Sequence, residues 1–161
     1  MKYRLWMLPA VAIGSGLSVS AMANDGTFSY SDLDTLLGKA EGYGFSRFEK
    51  LEADHDDDIL EFEGWRDDGW KLDVSMQMDG TPMRESQRKS STPAWSLTGE
   101  QLRQALRQAR EKGMQRFEEL EVDSDGHIEI EGYNAQHDEI DLDLHRDDLS
   151  IDDLNVKGET G

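Results

Sequence analysis

The chain has no cysteine and only three prolines, and its 17 lysine and arginine residues face 35 aspartates and glutamates. The missing cysteines exclude a disulfide scaffold, a thiolate metal site, a cysteine nucleophile and a cysteine-linked lipid anchor. The shortage of positive charge, a net −18 at pH 7, excludes a nucleic-acid binder, because phosphate contacts need an electropositive surface. Beyond residue 23 there is no apolar run of the roughly 20 residues that a spanning helix takes. What is there, four tryptophans and 36% hydrophobic residues in a chain of 161, argues for a folded core over disorder. That length fits one ordinary domain or two small ones.

The first 23 residues read as a secretory signal. Lys2 and Arg4 give the positive start, Leu5 to Val19 an apolar stretch broken by Pro9, Gly14 and Gly16, and Ala21-Met22-Ala23 the small-x-small cleavage pattern. The mature chain then begins at Asn24, is exported to the periplasm and has no membrane span. Loss of Lys2 and Arg4 takes its net charge from −18 to −20.

The mature chain reads as two copies of one unit, 24–90 and 91–161. Arg47-Phe48-Glu49-Lys50-Leu51-Glu52-Ala53-Asp54 matches Arg116-Phe117-Glu118-Glu119-Leu120-Glu121-Val122-Asp123 except at Lys50 and Ala53. Leu60 to Trp65 then aligns with Ile128 to Tyr133, and Leu72 to Met76 with Ile140 to Leu144. Each copy starts with a helical pattern. Ser29 with Asp32 and Thr98 with Gln101 have capping-box spacing, and Leu33, Leu36, Leu37, Ala40 and Leu102, Ala105, Leu106, Ala109 form the apolar stripes. Gly42, Gly44 and Gly113 supply stops.

Strands follow. A three-residue loop at Asp67-Asp68-Gly69 pairs Gly64 with Leu72, Phe62 with Val74 and Leu60 with Met76, which puts every apolar residue on one face. The same register in the second copy pairs Gly132 with Ile140, Ile130 with Leu142 and Ile128 with Leu144, with His137 in place of Gly69. A further hairpin is predicted at Asp79-Gly80, and Ser90-Ser91-Thr92-Pro93 is the linker. The expected fold class is therefore α+β: two tandem repeats, each one helix packed on a small antiparallel β-sheet, the two packed together or joined edge to edge.

Gly42-Tyr43, Phe48 with Leu51, Glu61 to Trp65, Asp68-Gly69 and Asp79-Gly80 together resemble the PepSY family, with Gly113-Met114, Phe117, Leu120 and Ile130 to Tyr133 as the second copy. The second copy departs from the pattern, with Gln136-His137 and Asp147-Asp148 at the two Asp-Gly turns. The resemblance implies an exported, non-catalytic module of helix and sheet that binds or restrains a peptidase or another envelope protein. It implies no catalytic residues and no cofactor.

The acidic turns Asp54-His55-Asp56-Asp57-Asp58 and Asp123-Ser124-Asp125-Gly126 raise an alternative, a calcium-responsive sensor or buffer. Neither fits the EF-hand template. Counted from Asp54, Ile59 takes the glycine position and Trp65 the twelfth; with Gly126 as the glycine, Glu121 comes first and Gly132 twelfth. The histidines His55, His127, His137 and His145 have no tight ligand spacing along the chain, so no metal site is assigned. There is no nucleophile elbow, phosphate loop or metalloprotease motif, and the chain is read as a non-enzyme.

Charge is unevenly placed: residues 24–83 carry a net −11, residues 84–116 a net +5 and residues 117–161 a net −14. The basic stretch, with Arg103, Arg107 and Arg110 on its helix, either relieves the repulsion of acidic strands or receives an acidic partner. The strand register places Trp65 and Tyr133 on the wet face, among Glu61, Glu63, Glu129 and Glu131. Those six residues are the expected contact for a basic or apolar partner, the alternative being a local role in which Trp65 covers the stem of Lys71.

Overall fold

The computed structural model describes residues 28–54 and 58–158; the predicted signal segment and the His55-Asp56-Asp57 part of the first acidic turn lie outside them. The elements run α1 (Tyr30–Tyr43), β1 (Arg47–Asp54), β2 (Ile59–Trp65), β3 (Trp70–Gln77), β4 (Pro82–Lys89), α2 (Gly99–Glu111), β5 (Arg116–Val122), β6 (His127–Tyr133), β7 (Glu139–His145) and β8 (Ile151–Lys157). The eight strands form one antiparallel sheet in the order β4-β3-β2-β1-β5-β6-β7-β8. The two helices pack against each other over its inner face. No helix among the described residues is long and apolar enough to cross a membrane.

This overturns the expected fold class. There are not two repeats, each with a helix on its own small sheet, but one mostly β structure with two short helices. The physical reason lies at the middle of the sheet. β1 and β5 would each be an open edge in a separate unit, and instead they pair with each other, Lys50 with Glu121, Leu51 with Leu120 and Glu52 with Glu119. The lead-in segments cross over as well. Leu97, just before α2, exchanges backbone hydrogen bonds of 2.8 and 2.9 Å with Phe48 of β1, and Phe28, just before α1, accepts one of 3.2 Å from Phe117 of β5. Both lead-in side chains are buried in one shared core.

Locally the sequence behaves as its pattern dictates. Both capping boxes close: Gln101 N–H donates to Thr98 Oγ1 at 3.2 Å and Thr98 N–H to Gln101 Oε1 at 3.0 Å, with Ser29 and Asp32 doing the same for α1. Both apolar stripes are buried. The β2–β3 and β6–β7 registers agree residue for residue with the expected pairings, and Phe62, Val74, Ile130 and Leu142 are buried beneath the helices. His137 takes the left-handed conformation that Gly69 takes in the other hairpin (φ of 67° against 77°), helped by Asn134 Oδ1, which accepts from the Gln136 and Asp138 N–H groups. Gly64 and Gly132 sit opposite the bulges of β1 and β5, where a Cβ would lie 2.1 Å from the carbonyl oxygen of Arg47 or Arg116.

Two arginines of the basic helix are engaged locally. Arg103 donates to Asp34 at 3.0 Å and to both Glu41 oxygens at 2.8 Å, and Arg107 pairs with Glu100 of the same helix. These cations tie α2 to α1 and to itself and do not reach the acidic strands.

Candidate functional site: the open sheet face

The helices cover one face of the sheet and leave the other to solvent. Alternation along each strand sends charged residues to that open face, and the registers order them into rows across it. One row reads Ser86, Asp73, Glu63, Lys50, Glu121, Glu129, Asp143, Asp153, and the next Arg84, Ser75, Glu61, Glu52, Glu119, Glu131, Asp141, Asn155.

In the β1–β4 half the glutamates of these rows are met by cations, whereas Asp73, opposite Glu63, has no ion-pair partner among the described residues. Lys71 pairs with Glu49 and, at 3.1 Å, with Glu63, while Arg84 pairs with Glu61 at 2.7 Å and Ser75 donates to the same carboxylate at 2.9 Å. At the seam Lys50 lies 2.9 Å from Glu52 and 2.8 Å from Glu119. In the β5–β8 half Lys157 pairs with Asp141 at 2.7 Å and Glu139 at 3.2 Å at one end. Between that end and the histidines at the other, Glu121, Glu129, Asp143 and Asp153 oppose one another directly, and no cation among the described residues pairs with them. Partial burial first, then the neighbouring carboxylates, hold Glu129, Glu131 and Asp143 above the ordinary carboxyl range.

All six residues expected to form the contact project to this face, but the structure does not treat them alike. Trp65 is 2% exposed, because Trp95, between the linker and α2, packs edge-on against it (centroids 5.7 Å apart, 83° between planes), and Lys71 sits 5.1 Å above its ring. The expectation that Trp65 is an exposed contact is therefore corrected: it is a covered ring with a local role. Tyr133 stays half-buried at the acidic end of β6, its hydroxyl pushed up by burial and by Glu118, Glu139 and Glu131. Glu61 and Glu63 are engaged by cations, whereas Glu129 and Glu131 are not. β1 and β5 separate the two groups.

The acidic turn at Asp123 closes on itself. Its Oδ1 accepts from the Asp125 N–H at 2.8 Å and the His127 N–H at 3.1 Å, and these backbone bonds, that of His127 foremost, hold its carboxyl low.

One grouping was missed from the chain order. His127 and His145 are directly opposed on β6 and β7, their ring centroids 5.4 Å apart, and Asp152 of β8 reaches both, at 3.8 Å from His127 Nδ1 and 3.3 Å from His145 Nε2. The signal for the pair was in the hairpin register, since setting Ile128 against Leu144 also sets His127 against His145. No such signal existed for Asp152.

No family model and no curated protein matches this chain. Among solved structures it is similar to one described as a putative lipoprotein from Clostridium difficile 630, at 13% identity and a TM-score of 0.42, over 85% of this chain and 98% of that one.

Proposed function

We propose that this chain is an exported, non-catalytic binding module, and that the β5–β8 half of its open face takes up a lysine- or arginine-rich segment of an envelope protein. One observation carries the reading: the row Glu121, Glu129, Asp143, Asp153 holds four directly opposed carboxylates without a cation. Like charges facing each other across a sheet are destabilising, by the same few tenths to about 1 kcal/mol per pair that opposite charges contribute favourably. The other half of the same face supplies Lys71 and Arg84 to equivalent strands. A cationic segment brought by a partner would do the same here, and the local negative field would speed its encounter.

Export rests on the N-terminal signal pattern, and the PepSY resemblance makes a peptidase the first partner class to try. The reading places Glu129, Glu131, Asp143 and Tyr133 in the contact and leaves Trp65, Glu61 and Glu63 outside it.

Calorimetry with an extended lysine-rich peptide, at about 20 mM and then 500 mM salt, tests this. Saturable binding at low salt that weakens at high salt is expected. Glu129→Gln with Asp143→Asn should reduce affinity at least about tenfold, two lost charge pairs being enough for that. Glu61→Gln with Glu63→Gln should leave it unchanged. Equal loss in both double variants would reject the site, and no saturable binding would reject the function.

A further inference from the structure

We propose that His127, His145 and Asp152 bind one divalent transition-metal ion of the zinc class, at the end of the open face where β6 and β8 begin and β7 ends. The donor set argues for the metal. Two imidazole nitrogens and one carboxylate oxygen suit zinc, nickel or copper, whereas calcium and magnesium take oxygen ligands almost throughout. Spacing agrees. Ligand atoms about 2.1 Å from a tetrahedral ion stand about 3.4 Å from one another. Asp152 lies 3.8 Å from His127 Nδ1 and 3.3 Å from His145 Nε2, and one donor atom from each of the three residues falls within 4.8 Å of the others. An adjustment on the order of 1 Å completes the set, and side chains that are 46–48% exposed have room to make it.

The three donors stand on a held framework. His127 and His145 lie in the ladder of adjacent strands. Asp152 follows a turn clamped from several sides: His145 N–H donates to Ser150 O at 2.9 Å, Leu149 N–H to His145 O at 2.8 Å, and Arg146 N–H to Gly126 O at 2.9 Å. Leu149 itself is buried in the core with a φ of 56°, a conformation costly for leucine, and its carbonyl accepts from Gln108 of α2 at 2.7 Å. The turn that carries Asp152 toward the two imidazoles is thus fixed to both the core and a helix.

Charge favours the ion too. Asp143 and Asp153 form the next pair along the same two strands, so a dication enters an anionic field. Three protein ligands leave a coordination position for water or for a side chain of a partner. His145 also borders a cleft of about 530 Å³ with Trp95, Asp125 and Asp147, which leaves space beside the site for such a group.

The three ligands are distinct from Glu129 and Asp143, which the docking of a cationic segment uses, although both features draw on the same anionic field. The test is titration of the protein with zinc chloride against a chromophoric chelator. One ion per chain is expected, with a dissociation constant below about 10 µM, and calcium in hundredfold excess should not displace it. His127→Ala, His145→Ala and Asp152→Asn should each weaken binding at least about tenfold. His137→Ala should not, because that ring lies by Arg116 at the far end of the sheet. On the unmutated protein, zinc should shift the imidazole nitrogen resonances of two histidines and leave the others in place, a readout that needs no variant to fold. The site is overturned by absent zinc uptake at about 100 µM, by unchanged affinity in a folded His127→Ala/His145→Ala variant, by displacement with calcium, or by imidazole resonances that do not move. Zinc binding that survives the loss of peptide binding would leave this site standing and remove only the docking surface.

Discussion

Strands β2–β3 and β6–β7 share a hairpin register, a glycine opposite a bulge and a buried inner face, yet their outer faces carry opposite electrostatic solutions. In the first, Lys71 and Arg84 answer Glu49, Glu63 and Glu61, and a tryptophan is closed over by Trp95. In the second, carboxylate faces carboxylate and the aromatic at the matching position, Tyr133, keeps an acidic border. Backbone pairing asks only for alternation, so inner faces are held to apolar residues while outer faces vary. One half has used that freedom to neutralise its face. The other leaves the row Glu121, Glu129, Asp143, Asp153 without a paired cation, Lys50 and Lys157 engaging only carboxylates at its borders.

The largest test of the contrast is at its aromatic pair. Trp65→Ala empties a space enclosed by Trp95 and Lys71, and should cost about 3 kcal/mol in denaturant unfolding. Tyr133→Ala, at a half-buried and uncovered position, should cost about 1 kcal/mol. Equal losses would mean that the two positions are structural equivalents after all. A smaller effect of opposite sign is expected at the acidic row. Glu129→Lys sets a cation between Glu121 and Asp143 and should stabilise the fold by about 1 kcal/mol while abolishing binding of the lysine-rich peptide. A variant that is no more stable would show that the row's repulsion is already relieved by solvent.

Much of this was legible in the chain because it depends on short-range pattern. Period-two alternation and a three-residue loop gave both hairpin registers, and two capping boxes gave both helix starts. β4 was announced only by the Asp79-Gly80 hairpin that leads into it, and β8 escaped, because edge strands have no buried partner face to enforce alternation; both are exposed along their whole length. Edge-to-edge joining was one of two expected arrangements, but which strands meet was not legible, because the β1–β5 seam joins residues about 70 positions apart through only three register pairs and nothing local specifies it. The cover over Trp65 escaped for a related reason: strand register says which face a side chain takes and nothing of what a distant segment lays upon it. The same limit hid Asp152 behind an unread strand while leaving the histidine pair readable.

The response to pH separates the two halves without any mutation. Glu129, Glu131 and Asp143 are held above their ordinary range, so between neutrality and that range the folded chain binds more protons than the unfolded one. Stability must then fall as pH rises, and lowering the pH from about 7.5 to about 5 should raise the melting temperature. Carboxyls held low act in the opposite direction. Glu41, gripped by Arg103, and Asp123 and Asp148, bonded by turn backbone or by Ser150, contribute stability present at higher pH and lost as pH falls through their depressed values. Melting temperature should therefore pass through a maximum on the acidic side of neutrality and drop below about pH 4. Glu129→Gln with Asp143→Asn removes two of the raised groups from the β5–β8 half and should flatten the rise while sparing the acid limb. Glu61→Gln with Glu63→Gln, in the half where cations already meet these carboxylates, should leave the rise in place. If the first pair of substitutions does not flatten it, the mutual repulsion of the β5–β8 face is too weak to distinguish that face from its neutralised counterpart.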